Sequence, residues 1–301
     1  MSTGTVPQQT RPARPTRPTR PTRLATVDGR QRTGIGGWAI LLILALFAVG
    51  PLIIFVFAAF KTQSELVGDP FGLPADLLWS NFADAWNQAH MGRGLYNSLV
   101  LVAGTVLGTV VIAGLAAYAM ARLDLPGAGS VILYLLVSSA LPMQMFLVPL
   151  FYIWTRTGLY DTKLGLIIIY CATLTPFATL LLRAFLLTLP RELEEAARID
   201  GAGELKIAAR VILPNALSGI LTVALVTALA AYNEFLFAVT FLQSESQMPI
   251  STSFFSFQQA YVQNAVLNAA AGLIMLLPML GLFLVLQRRF VAGIANTGMA
   301  G

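Results

Sequence analysis

The 301-residue chain is poor in charge, cysteine, histidine and lysine, and each shortage removes a class of function. Charged residues make up 11% of it and apolar residues 56%, with a mean hydropathy of +0.73. A soluble domain carries about a quarter charged residues, so this chain cannot clothe a globular surface in water. The single cysteine, Cys171, excludes a disulfide framework and any Cys-cluster metal site. The single histidine, His90, excludes His-rich metal sites, and no nucleophile or acid–base partner stands beside it. The three lysines are Lys61, Lys163 and Lys206, and none follows a glycine. A phosphate-cradling Gly-Lys-Ser/Thr loop is therefore absent, and any nucleotide chemistry belongs to another chain.

What the chain does have is arranged in blocks. Residues 1–36 hold seven arginines and one acid, with the period-3 run RPARPTRPTRPTR from Arg11 to Arg23. Such sequence buries no core and is expected to be a disordered or polyproline II tail. It either touches anionic lipid headgroups or is simply solvated and fixes orientation. With no folded basic domain attached, it does not point to nucleic acid. Trp38 to Phe60 follows, 23 residues without a charge, and about 20 apolar residues suffice to cross a bilayer. Its length and distance from the start mark it as an anchor rather than a cleaved signal. Further apolar stretches at about 97–120, 129–154, 164–187, 215–241 and 264–287 bring the spans to six. In lipid the backbone must satisfy its own hydrogen bonds, so all six are helices.

The positive-inside rule orients them. With the N-terminus cytoplasmic, that side receives the tail arginines, Arg122, the five bases from Arg183 to Arg210, and Arg288 and Arg289. The other side receives only Lys61, Arg93, Arg156 and Lys163. Both termini are expected inside. On the outer side, 61–96 is expected at the interface or packed over helix ends, and Phe254, Phe255, Phe257 and Tyr261 are expected to anchor the 242–263 stretch at the membrane surface.

The inner segment between spans four and five reads PRELEEAARIDGAGELKIAARVILP, Pro190 to Pro214. Pro190 suits a first helical turn, and Glu192, Glu194 and Glu195 favour the positive dipole end. Arg191–Glu195 and Glu194–Arg198 are i,i+4 pairs. Leu193, Ala196, Ala197 and Asp200 fall on one face. Gly201-Ala202-Gly203 interrupts the helix. A second amphipathic stretch presents Leu205, Ala208, Ala209 and Ile212. Two short helices bent at the glycines are expected, either lying on the membrane as a connector or offering an Ala-rich face to a partner. Within the spans Glu234 is the only acid and must face the bundle or a wet cavity. Asn233 and Glu234 either line a solute path or, in the case of Glu234, pair with a neighbouring helix and fix packing. Pro142, Pro149 and Pro176 are candidate kinks.

The string Glu195-Ala196-Ala197-Arg198-Ile199-Asp200-Gly201-Ala202, followed by Leu213-Pro214, resembles the EAA signature of bacterial ABC importer permeases. Asn81-Phe82 with Trp86, Asn97-Ser98, Pro142 to Pro149, Asn233 to Ala238 and Gln287 to Val291 resemble the maltose-type, carbohydrate branch. Ala208 and Ser218 depart from that pattern, where an aromatic and a second proline are usual. The resemblance covers roughly 37–301 and implies an all-α transmembrane domain with a coupling helix in 190–213. It implies that Glu195, Ala196, Ala197, Arg198, Asp200, Gly201 and Ala202 contact an ATPase subunit. It further implies a second, non-identical permease, an ATPase dimer carrying the ATP and Mg, an extracytoplasmic solute-binding protein, and a sugar or oligosaccharide as cargo. An ATP-independent secondary transporter or channel is the alternative. It would need an ion-coupling group, and such folds often repeat internally; no convincing repeat relates 37–154 to 164–287. A membrane-embedded enzyme lacks an acid–base pair or metal cluster.

Overall fold

A computed structural model describes residues 35–298; the Arg/Pro-rich tail and the last three residues lie outside the described residues. The chain divides into two units, Met1–Val49 and Gly50–Gly301. The described part of the first is the beginning of helix α1 (Ile35–Phe60), whose large apolar side chains are exposed. A helix apolar on every side, with nothing among the described residues of its own unit to bury against, suits lipid as its solvent.

The second unit is helical throughout its described residues. After α1 come α2 (Gln63–Gly68), α3 (Ser80–Gln88), α4 (Met91–Arg122), α5 (Ala128–Ala140) and α6 (Leu147–Thr157). They are followed by α7 (Lys163–Leu187), α8 (Glu192–Ile199), α9 (Glu204–Ile207), a π turn (Ala208–Ile212) and α10 (Leu213–Asn215). The last elements are α11 (Leu217–Asn233), α12 (Leu236–Phe241), α13 (Ile250–Ala260) and α14 (Ala265–Gly298). Four helices are long and apolar enough to cross a membrane, and two bent pairs could each make one span more.

Helix α4 is the axis of packing. Asn97, Leu101, Thr105, Thr109, Ala113, Ala117 and Ala121 recur every four residues and all are buried. An i+4 ridge of small side chains lets a neighbour approach closely, which is how helices associate when lipid removes the hydrophobic drive between them. Helix α7 takes that place: a Cβ on Gly104 would meet the Ile167 side chain at 2.6 Å, and one on Gly108 would meet the Cys171 sulfur at 2.6 Å. Helix α11 closes the group, with Gly219 lying against Phe185.

Two of the six expected spans are not straight. The third bends by 91° between α5 and α6. Pro142 stands at the break, before a 3-10 turn at Met143–Phe146, because it supplies no N–H to continue α5. Pro149 sits in the first turn of α6, where that loss costs nothing, and Pro176 lies inside α7 without ending it. The fifth is broken: a 76° bend at Ala216 sets α11 off from the 204–215 piece before it, and α11 stops at Asn233 rather than running on to 241.

The 61–96 segment packs over helix ends, one of the two placements expected. Thr62 and Glu65 form a reciprocal capping box at α2. Asn81 Nδ2 donates to the carbonyls of Ala59 and Lys61 at 2.9 and 3.0 Å, and Phe82 and Trp79 pack on Phe60. The 242–263 stretch corrects its expectation. It contains α13, Phe257 is buried, and Phe254 packs against the same core as Ala85, Met91 and Ala270. Phe255 packs against Phe235, with ring centroids 4.9 Å apart and the planes tilted by 60°. Phe254 and Phe257 are core residues rather than membrane-surface anchors, since the helix turns them toward α4 and α14.

Candidate functional site

The segment 190–213 folds as two short helical pieces around a glycine turn, as its sequence predicts. Helix α8 begins at Glu192, two residues after Pro190, with Glu192, Glu194 and Glu195 in its first turn. It ends in a Schellman motif. Gly201 N donates to the Arg198 carbonyl and Ala202 N to the Ala197 carbonyl, both at 3.0 Å. Gly201 takes φ +77°, a left-handed conformation that glycine adopts without strain. Its chain neighbours leave the space beyond it open.

The faces differ from the expected ones. Glu195, Ala196, Arg198, Asp200 and Gly201 are exposed, while Ala197 and Ala202 turn partly inward onto a core built from Ala113, Ala117, Ala121, Leu182 and Leu186. In the second piece Ile207 and Ile212 are buried and Leu205 is not. The π turn accounts for this: its wider i→i+5 pitch aligns residues five apart, so Ile207 and Ile212 share a face that an α-helix would separate. Leu205 and Ile199, on either side of the glycine turn, are 84% and 86% exposed. The open face is therefore a carboxylate-rich, small-residue surface with two bare aliphatic side chains at its bend.

Beneath that face runs a ring of polar contacts that the sequence reading did not assemble. Arg122, the last residue of α4, places Nε 3.0 Å from Glu194 Oε1, with side chains only 2% and 3% exposed. The N–H is not aimed at that oxygen, so the contact is ionic rather than a formed hydrogen bond. Arg122 Nη2 also donates to the carbonyls of Leu186, which Leu189 N shares, and of Leu189, just past the end of α7. Glu194 Oε2 lies 3.6 Å from Arg198 Nη2. Arg198 Nε donates to Glu204 Oε1 at 2.9 Å, and Tyr118 of α4 donates to Glu204 Oε2 at 2.9 Å. Hydrogen bonding to Glu204 raises the Arg198 guanidinium above its ordinary range, and Arg198, then Tyr118, hold the Glu204 carboxyl below its own. Of the two i,i+4 pairs expected, Glu194–Arg198 forms and Arg191–Glu195 does not among the described residues. Arg122 entered the sequence reading only as one charge in a tally. Its sequence signal is that it ends a long uncharged run and faces a Glu-rich loop.

Asn233 and Glu234 part company. Asn233 ends α11, is exposed, and turns Nδ2 back to the Leu229 carbonyl at 2.9 Å. Glu234 is extended backbone at the break before α12. Its Oε1 accepts from Phe237 N at 2.9 Å, and its Oε2 accepts from Tyr170 Oη at 2.6 Å and Ala238 N at 3.1 Å. Three donors engage both carboxylate oxygens, so Glu234 caps α12 and ties it to α7.

At the opposite end of α4 the chain is stapled again. Asn97 Nδ2 donates to the carbonyls of Ser246 and Met248, both at 2.9 Å, and Ser98 Oγ accepts from Ile250 N at 2.9 Å. Asp161 accepts from Gln243 N at 2.8 Å, from Ser244 N at 3.0 Å and from the Ser244 hydroxyl. Burial pushes the Asp161 carboxyl up, but these three donors outweigh it and leave it below the usual carboxylate value. Among the described residues no three His, Cys, Asp or Glu side chains gather as metal ligands.

With this geometry in hand, comparison with known proteins is specific. Residues 109–296 match the family described as binding-protein-dependent transport system inner membrane component. The chain is 30% identical to the diacetylchitobiose uptake system permease protein NgcG of Streptomyces coelicolor, over 86% of each chain. It is 32% identical to the melibiose/raffinose/stachyose import permease protein MelC of Bacillus subtilis, over 76% of this chain and 83% of that one. A chain of a bacterial ABC transporter involved in the import of the acidic polysaccharide alginate has the same fold, with a TM-score of 0.75, 23% identity, and coverage of 85% and 96%.

Proposed function

The chain belongs to the family of binding-protein-dependent transport system inner membrane components, and from that premise we propose that it is the membrane permease subunit of an ATP-driven importer of a sugar or oligosaccharide. Two relatives named for di- and oligosaccharide uptake support the cargo class. Both termini and the 190–213 segment lie on the cytoplasmic side, in the bacterial cytoplasmic membrane, which the distribution of Lys and Arg supports. Residues 37–301 form one six-span domain, with α5 and α6 making the third span and α11 the fifth, and 1–36 form its cytoplasmic tail.

Helix α8 and its glycine turn are the coupling element. Glu195, Ala196, Arg198, Asp200 and Gly201 meet an ATPase subunit, with Ala197 and Ala202 supporting them from below. ATP and Mg are held by a dimer of that subunit, since this chain has no phosphate-binding loop. A second, different permease completes the membrane path, and a solute-binding protein delivers cargo at the face formed by α13 and the 242–249 segment. The observation that carries this reading is the open face on α8, braced by buried charge to the cytoplasmic end of α4. Its amphipathic partner face is already filled from within the chain, so what remains outward is available to another subunit.

Affinity purification of the full chain from its own membrane, with co-purifying proteins identified by mass, tests the proposal. A second permease and a Walker-type ATPase are expected, with uptake of raffinose or diacetylchitobiose by right-side-out vesicles requiring ATP inside them and the solute-binding protein outside. A chain that purifies alone and transports without ATP would make it the secondary transporter instead.

A further inference from the structure

The polar contacts under α8 close on themselves. From Arg122 they run to Glu194, on to Arg198, to Glu204 and back to Tyr118, and Tyr118 and Arg122 stand one turn apart on α4. The ring thus fastens both arms of the glycine turn, α8 and α9, to one face of one helix. Its inner half is buried; its outer half, Arg198 and Glu204, is 41% and 48% exposed. A buried ion pair seldom stabilises a fold more than apolar side chains of the same size, because desolvation consumes the Coulomb gain. What it supplies, and packed leucines do not, is a penalty for parting: separating Arg122 from Glu194 leaves an uncompensated charge in a buried place. Helix α4 then continues from Arg122 to Asn97, about 38 Å at 1.5 Å per residue, and there Asn97 and Ser98 hold the backbone of 246–250.

We propose that Arg122, Glu194 and Tyr118 are positioning residues that make the 190–213 element and α4 one rigid body, so that a displacement of α8 appears at the Asn97 end of α4. The proposal rests on the coupling reading of α8 given above. The Schellman turn at Gly201 would otherwise be a hinge at which a push on α8 dissipates. With the ring closed, both arms move only with α4, and the buried i+4 ridge carries that movement along α7 without sliding apart.

The test uses the whole transporter in its membrane and ATP with Mg as the only probe. A cysteine placed at exposed Arg93, one turn before Asn97, reports the far end of α4 through its labelling rate with an impermeant maleimide; Cys171 is buried and stays silent. In the otherwise native chain, trapping the ATP-bound state changes that rate by fivefold or more. Arg122→Gln or Glu194→Gln reduces the change to under twofold while the ATPase still co-purifies and hydrolyses ATP. The double variant is no worse than either single one, because it leaves no lone buried charge. Arg122→Lys restores part of the response, having the charge without the fork.

If Arg122→Gln does not assemble, Tyr118→Phe, which deletes one hydroxyl, is expected to halve the response. The proposal falls if Arg122→Gln, or failing that Tyr118→Phe, responds to ATP as the native chain does. It falls also if the native chain brings an active ATPase but shows no change at Arg93. Absence of an ATPase from the native preparation overturns the coupling reading itself.

Discussion

Gly201 and Asp161 show how much rests on single backbone and side-chain choices. Gly201 sits at φ +77° with nothing within 4 Å of an added Cβ, so Gly201→Ala is costly through the backbone alone, by about 1–2 kcal/mol. Amides of Gly201 and Ala202 should then exchange roughly 5- to 30-fold faster, and uptake should fall more than the amount of assembled transporter does. Gly201→Asn should be milder, since asparagine tolerates the left-handed region. Asp161 predicts a pH dependence. Its carboxyl is lowered from 3.8, so the stability that it contributes is complete above that value and is lost as pH falls through the lower folded value. Hydrogen exchange at Gln243 and Ser244 should be insensitive to ionisation at neutral pH and lose protection only below about 4. Asp161→Ala, which deletes the acceptor, should remove that protection at every pH.

Among elements, the packing of α11 and of α4 on α7 offers a matched pair of tests. A Cβ on Gly219 would stand 2.7 and 2.9 Å from Phe185 Cγ and Cβ, whereas one on Gly114 would meet only Leu182 Cδ2 at 3.9 Å. Gly219→Ala should destabilise by about 1–3 kcal/mol through overpacking, and Gly114→Ala should be neutral or slightly favourable in its helix. Thermal unfolding in detergent reads both. The π turn at Ala208–Ile212 was illegible beforehand, because a periodic pattern is read with the pitch of an α-helix. The apolar positions Leu205, Ala208, Ala209 and Ile212 fitted 3.6 residues per turn well. The bend near Pro142 and the helix stop after Asn233 differ in legibility. A proline announces itself, but Glu234 reads as a polar residue within a span until its three donors are seen.

For the whole molecule, orientation is the first thing to measure. An impermeant thiol reagent should label Glu245→Cys in intact cells and Ile199→Cys only after permeabilisation, because both positions are exposed and lie at opposite ends of α4. Labelling of Ile199→Cys from outside would invert the topology and remove the coupling reading with it. Protection of Ile199→Cys when the ATPase is bound, lost on stripping that subunit, is the result expected of a docked surface. Many large apolar side chains of α1 and α5 are exposed, which is ordinary for helices solvated by lipid.

The sequence alone determined the solvent of the molecule and singled out its candidate coupling segment. Scarce charge and six long apolar runs admit only a helical membrane protein, since lipid leaves no other way to satisfy the backbone, and the EAA-like string marked the segment between spans four and five. Glycine at 201 and the three glutamates of the first turn act locally, so their roles were readable from neighbours in the chain. Tertiary structure decided which side chains face outward and which charges meet. Arg122 and Glu194 are far apart in sequence, and only the fold brings them within 3.0 Å. The burial of Phe257 and the engagement of Glu234 likewise depend on neighbours supplied by distant helices. Periodicity assigns a residue to a face of its helix, whereas the surroundings of that face are set by how the helices pack.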